Sequence, residues 1–297
     1  MSANVKKRLR LEYLGKDKPN EPGVEAAGAD ALDIISEGSH LYGSVLIPDG
    51  SYEALRPCVI LIHGFPGTAR NDDLAQALRR IGCVVLTPHH RGAWGSEGKY
   101  LISNCVEDMV HIAEWVRSPE ICEKWKIDPD SIFLCGHSMG GNTALQSGRR
   151  LPWVRGIILM TPYDPSYYLL HGQGERFRGL IEEGRVLQSD GLEAIYKDVD
   201  AHKEAYCFAD AFEDVKDRNM CIVVGGGDDI APGEHMVMPL WNRLKEHDTV
   251  AVQKQITFDC DHCMCNVRVA LAEYIAQFMK EVLGEEVCGK YGTLPCR

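Results

Sequence analysis

Positive charge is scarce in this 297-residue sequence: 32 Lys and Arg stand against 43 Asp and Glu, a formal net charge of -11. A nucleic-acid partner, which calls for a basic stripe, is therefore not expected. Long hydrophobic runs are missing as well. The longest apolar stretches, such as Cys58–Ile62 and Gly156–Met160, are strand-sized, far short of the roughly 20 residues of a membrane span, so no membrane partner is expected. The opening MSANVKKRLRLEYLG is basic but has no apolar run behind it, which excludes a secretory signal. Internal repeats and low-complexity segments are absent too. Twelve cysteines, spread over a chain with no such signal, read as reduced thiols, and the expected location is cytoplasmic.

What is present is an ordinary globular balance, 45% hydrophobic and 25% charged, on a chain long enough to bury a core without staples. Residues 1–30 are polar, with no clean period, and read as an amino-terminal arm. Ala31–Ile35 and Leu41–Ile47 are β-rich runs around a hairpin signal, Ser36–His40. A βα alternation then begins, the mark of a mostly parallel, doubly wound sheet. Strands are expected at Cys58–Ile62, Cys83–Thr87, Ser131–Cys135, Gly156–Met160, Cys221–Val224 and Val252–Phe258. The first and fourth are continuously apolar, as strands covered on both faces are. Helices are expected at Asn71–Ile81, with Asn71 as cap, Cys105–Arg117, Gly140–Arg149, near Met236–Lys245 and at Met264–Val282. The rhythm stops over residues 163–218, which are aromatic, charged and helical in pattern. The reading is an α/β core of residues 31–162 and 219–285, a helical lid inserted at 163–218, and a carboxy-terminal tail at 286–297.

The chemistry centres on Gly136-His137-Ser138-Met139-Gly140, a G-x-S-x-G motif between an expected strand and an expected helix. So sharp a turn needs small residues two before and two after the serine, and it exposes the hydroxyl above the sheet as a nucleophile. His63-Gly64-Phe65-Pro66-Gly67 follows directly on a strand. Fixed backbone N–H groups there would stabilise the oxyanion of an attacked carbonyl, and the N–H groups of Phe65 and Met139 are the expected donors. Serine needs a base, and the base needs an orienting carboxylate. Of eleven histidines, His262 lies just past the last expected strand. The acid comes from Gly225–Asp229, where Asp228 is favoured over its neighbour Asp229 by its spacing to Pro232. The order Ser138, Asp228, His262 is that of a nucleophile-elbow hydrolase.

These motifs, with Arg91–Gly98 and Ile127–Ile132, resemble the α/β-hydrolase superfamily over nearly all of residues 31–285. The likeness is nearest to the esterase and prolyl-oligopeptidase-like branch, which includes cinnamoyl and feruloyl esterases and the catalytic domains of dipeptidyl and acylaminoacyl peptidases. The resemblance implies an α/β-hydrolase fold and a triad of Ser138, Asp228 and His262. The chain departs from it at His89-His90, where relatives often carry Asp or Asn.

Weaker features have two readings each. Cys260, Cys263 and Cys265 resemble a metal cluster, but a second ligand pair is missing and His262 is needed as base, so no metal and no cofactor is expected. Glu182-Glu183 is either a solvated helix face or, by resemblance to aminopeptidases, a site for a substrate amino group. Tyr163, Tyr167, Tyr168 and Phe177 either form an apolar substrate pocket for an aromatic acyl group or pack the lid. The expected function is hydrolysis of carboxylic esters with small or medium acyl groups, aromatic ones included. The alternatives are a peptidase of short peptides using the same triad and, remotely, a non-catalytic binding protein; a homo-oligomer is left open.

Overall fold

A computed structural model describes residues 8–285; the expected tail at 286–297 and the first seven residues of the arm lie outside the described residues. Eight strands form one sheet: β1 (Gly28–Ser36), β2 (Ser39–Ile47), β3 (Arg56–Ile62), β4 (Val84–Pro88), β5 (Ile127–His137), β6 (Gly156–Met160), β7 (Met220–Gly225) and β8 (Gln253–Phe258). Their order is β1-β2-β4-β3-β5-β6-β7-β8, antiparallel as far as β4 and parallel from there on. This is the α/β-hydrolase fold.

The sheet is buried on both faces because its strands alternate between two cores. Ile60, Ile62, Leu134, Leu159 and Ile222 point to one side, where α2 (Ile102–Val116), α3 (Pro119–Trp125) and α4 (Met139–Arg150) pack. Val59, Leu61, Cys135, Ile158 and Val223 point to the other, against α1 (Asp72–Arg80) and α11 (Arg268–Val282). Each such side chain, fully removed from water, contributes roughly 1.5–3 kcal/mol before entropy is counted. Between β6 and β7 lie α5 (Tyr167–Leu170), α6 (Gly174–Ile181), α7 (Leu192–Tyr206) and α8 (Phe212–Val215); α9 (Gly233–Met236) and α10 (Met238–Leu244) follow β7.

Several boundaries differ from the sequence reading. Asp128-Pro129-Asp130 does not precede β5 but lies inside it, at an irregularity in the pairing with β3. Proline has no N–H for the ladder, and the irregular register accommodates it. Asn71 does not cap α1 through its side chain; it takes a left-handed conformation, and its carboxamide oxygen accepts from Arg268 at 2.9 Å. The closing helix starts at Arg268 rather than Met264, because Met264 has φ 56° and Asp261 accepts the Cys265 N–H, making a turn there. The described part of the arm is docked: Leu9 and Leu14 are buried, and the Arg10 N–H donates to the Ile81 carbonyl at 2.9 Å.

Candidate functional site

Strand β5 ends at His137 and helix α4 begins at Met139, so Ser138 alone makes the turn, with φ 56° and ψ -123°. Such a conformation costs on the order of 1–3 kcal/mol in a non-glycine residue and has to be held by its surroundings. Here the Ser138 N–H donates to the Met160 carbonyl at 3.0 Å, while the Ser138 carbonyl accepts the N–H groups of Gly141 and Tyr163. The flanking glycines are required by contact. A Cβ on Gly136 would lie 2.0 Å from the Gly140 carbonyl oxygen, and one on Gly140 would lie 2.4 Å from that of Ile62.

His262 lies in the turn after β8. Its Nδ1 is 2.8 Å from Asp228 Oδ2. The other carboxylate oxygen of Asp228 accepts the N–H groups of Ile230 and Ala231 at 3.0 and 2.8 Å. Asp228 is buried and Asp229 is exposed, so it is Asp228 that the structure brings to His262. The His262 carbonyl accepts from His137 Nε2 at 3.0 Å and from the Thr161 hydroxyl at 2.9 Å. Burial lowers the His137 pKa to about 4, with the neighbouring His262 adding to the effect, so this imidazole stays neutral.

Ser138 and His262 open onto one cavity of about 110 Å³. Phe65, Met139, Leu180 and Ile230 supply its apolar wall, and Glu183 and Cys263 also line it. The two residues expected to supply oxyanion donors, Phe65 and Met139, line it. Tyr163, Tyr167, Tyr168 and Phe177 are not among its lining residues: Tyr163, Tyr168 and Phe177 are buried in the core of the inserted helices, with Tyr167 packed against it. Of the two readings open for these aromatics, packing among the helices is the one the structure shows. Two larger hollows, of about 360 and 390 Å³, lie around Arg8 at the amino-terminal ends of β3 and β5, away from the serine.

Behind the His63–Gly67 turn, the departure at His89-His90 acquires a structural account. His63 Nδ1 donates to the Gly64 carbonyl at 2.8 Å, which leaves Nε2 to accept the His90 N–H at 3.4 Å. His90 Nε2 in turn donates to the His63 carbonyl at 3.3 Å, and the two rings meet edge to face. Burial keeps both neutral, His63 well below the usual histidine range and His90 at about 4. No single-residue pattern marks this pair, or Thr161, in the sequence. The cysteine triplet divides into buried Cys260 and exposed Cys263 and Cys265. All ten cysteines among the described residues are free thiols. No group of three or more His, Cys, Asp or Glu among these residues is arranged to hold a metal ion.

A family model described as serine aminopeptidase, S33, matches residues 53–164. Monoglyceride lipase of Rattus norvegicus is 29% identical over 137 residues, 43% of this chain and 41% of the relative. Lysophosphatidylserine lipase ABHD12 of Danio rerio is 29% identical over 34% of this chain and 25% of the relative. The chain thus spans less than half the length of these curated relatives. Among solved structures, Est1E from Butyrivibrio proteoclasticus superposes with a TM-score of 0.62 at 17% identity, covering 86% of this chain and 99% of that one. An esterase of Pyrococcus furiosus gives 0.62 at 18% identity, over 86% and 91%. The structural likeness defines the fold, that of the α/β hydrolases, and residues 53–164 are similar to a family of serine hydrolases. Among the described residues no helix is long and apolar enough to cross a membrane.

Proposed function

We propose that this chain hydrolyses carboxylic esters through an acyl-enzyme on Ser138. His262 takes the serine proton as the hydroxyl attacks the acyl carbonyl, then returns it to the leaving alcohol; water, activated by the same imidazole, releases the acid. The observation that carries this reading is the 2.8 Å contact between His262 Nδ1 and Asp228 Oδ2, with the carboxylate's second oxygen fixed by two backbone N–H groups. A carboxylate so held keeps the imidazole in one tautomer, with Nε2 left to serve the serine, and stabilises the imidazolium that forms.

The oxyanion donors in this account are the N–H groups of Phe65 and Met139. Met139 is the first residue of α4, where backbone N–H groups have no partner within the helix and the helix dipole is positive. The apolar lining of the cavity suits an acyl chain, and its size suits small or medium ones. Residues 163–218 are the lid in this reading. They are tied to the core by the Gln188 N–H to the Gly92 carbonyl and the Tyr100 N–H to the Gln188 carbonyl. A cytoplasmic location is part of the same reading and is consistent with the free thiols. The names of the lipase and esterase relatives support the choice of esters.

A second reading, a peptidase of short peptides, is favoured by one observation: Glu183 lines the cavity with no ion-pair partner among the described residues, where it would meet a substrate ammonium. The S33 aminopeptidase model points the same way. Turnover of p-nitrophenyl acyl esters against aminoacyl p-nitroanilides separates the two. Esters faster by orders of magnitude support the first; amides turned over at equal or greater kcat/KM replace it with the second.

A further inference from the structure

The Arg56 side chain starts β3 and is buried to 5% exposure. One of its terminal nitrogens, Nη2, donates to the Asp49 main-chain carbonyl at 3.1 Å, while its Nε has no hydrogen-bond partner among the described residues. Neither Arg56 nor Arg10 forms an ion pair among the described residues. A buried guanidinium without a counter-ion is costly, and such charges are almost always paired in proteins. Arg56 also lines the hollow of about 360 Å³, together with Arg8 and Arg10.

Three arginines and one acidic residue line this hollow. Arg8 is neutralised by Asp128 at 2.7 Å. Arg10 donates to the Ser51 carbonyl at 3.0 Å and lies 4.8 Å over the Tyr52 ring. The Asp49 carboxylate is taken up by Lys18 at 3.3 Å and by the Ser51 N–H at 3.0 Å. Glu53 is the acidic residue in the lining, and it is itself engaged in an interaction. The Asp49 and Glu25 carboxylates act on Arg56 only from a distance, and in a chain of net charge -11 two arginines with no contact ion pair among the described residues, at one concavity, are not a general surface property. The volume is that of a small-molecule site.

We infer that this hollow is a binding site for a small anion bearing phosphate or carboxylate groups, with Arg56 and Arg10 as its cationic ligands. Guanidinium matches both oxyanions through paired N–H donors. The site lies at the amino-terminal ends of the strands, and Ser138 lies at the carboxy-terminal end of β5, so the ligand is not the substrate of the serine.

The test is equilibrium dialysis of the full chain against labelled pyrophosphate and, separately, citrate, at matched ionic strength, with Arg56→Met and Arg10→Met beside the wild type. The expected result is saturable binding of one anion per chain, weakened about ten-fold or more in each variant, which corresponds to the loss of one charge-assisted contact. Preference for pyrophosphate or for citrate tells a phosphate ligand from a carboxylate one. Thermal unfolding gives an independent readout. A hundred-fold excess over Kd raises the wild-type Tm by about 5 °C. Unliganded Arg56→Met melts no lower than the wild type, because an unpaired buried charge has been removed. If Arg56→Met does not fold, Arg10→Met carries the test. Absence of saturable binding of both anions, or binding undiminished in the folded variants, overturns the inference.

Discussion

His137 donates through Nε2 to the main-chain carbonyl of His262 across 3.0 Å, tying the residue before Ser138 to the residue that meets Asp228. Thr161 donates to the same oxygen from the end of β6. Both donors are kept at a cost. His137 Nδ1 is buried without a partner, and Thr161, a β-branched residue, has φ 37°. Features of this kind persist where the surrounding structure uses them.

Loosening that tie is expected to slow chemistry more than binding. His137→Leu and Thr161→Val, which remove one donor each, lower kcat by about ten- to a hundred-fold with KM within about two-fold, as expected for a misplaced base. His137→Gln, which keeps a donor at similar reach, restores most of the loss. Steady-state kinetics on a p-nitrophenyl ester check this; an unchanged kcat in folded variants removes the positioning role.

Asp228→Asn keeps the shape of the loop but lets the imidazole adopt the wrong tautomer. Its kcat falls by about 10³–10⁴-fold, the scale of such replacements in triad enzymes. Asp229→Asn, on an exposed carboxylate, stays within about two-fold of the wild type. Equal effects of the two substitutions would contradict the assignment of the acid.

A methyl group at Gly136 has nowhere to go, since it would meet the Gly140 carbonyl at 2.0 Å, and Gly140 has no room for a side chain of its own beside the Ile62 carbonyl. Gly136→Ala is expected to destabilise the fold by about 3 kcal/mol or more, read by denaturant unfolding. A loss below about 0.5 kcal/mol, the range of an ordinary surface change, would show that the elbow can relax.

Burial raises the Asp164 carboxyl from its ordinary 3.8 to about 6, although it accepts N–H groups from Ser166 and Phe208. Between these values the folded chain holds a proton that the unfolded chain has released. Stability from this group is therefore full below the lower value and is lost as pH rises through the upper one. The gap in stability between wild type and Asp164→Asn changes by up to about 1.4 kcal/mol per pH unit across that window. Thermal melts of both proteins from about pH 4 to 7 measure it; a constant gap would mean that Asp164 does not titrate there.

Much of the candidate site's arrangement was legible because its signals are local. The elbow is written in the spacing of Gly136, Ser138 and Gly140, and the choice of Asp228 in the loop that turns at Pro232. The apolar strands announced a sheet covered on both faces. Tertiary facts were not legible. An aromatic side chain such as Phe177 reads as apolar in the sequence, which does not say whether it meets a cavity or the core formed by the helices between β6 and β7. Helix α3 is short and has little period, although Ser118 before Pro119 is a start signal. That Arg56 has no contact ion pair among the described residues depends on where distant carboxylates fall, and Thr161 acts through a backbone oxygen a hundred residues away.

The central claim, that Ser138 is an activated nucleophile, is tested most directly by reacting the purified chain with a fluorophosphonate probe and mapping the adduct by mass spectrometry. The account predicts one adduct per chain, on the peptide containing Ser138, and none in Ser138→Ala or in wild type unfolded beforehand. A folded wild-type chain that stays unlabelled, or is labelled elsewhere, would contradict it.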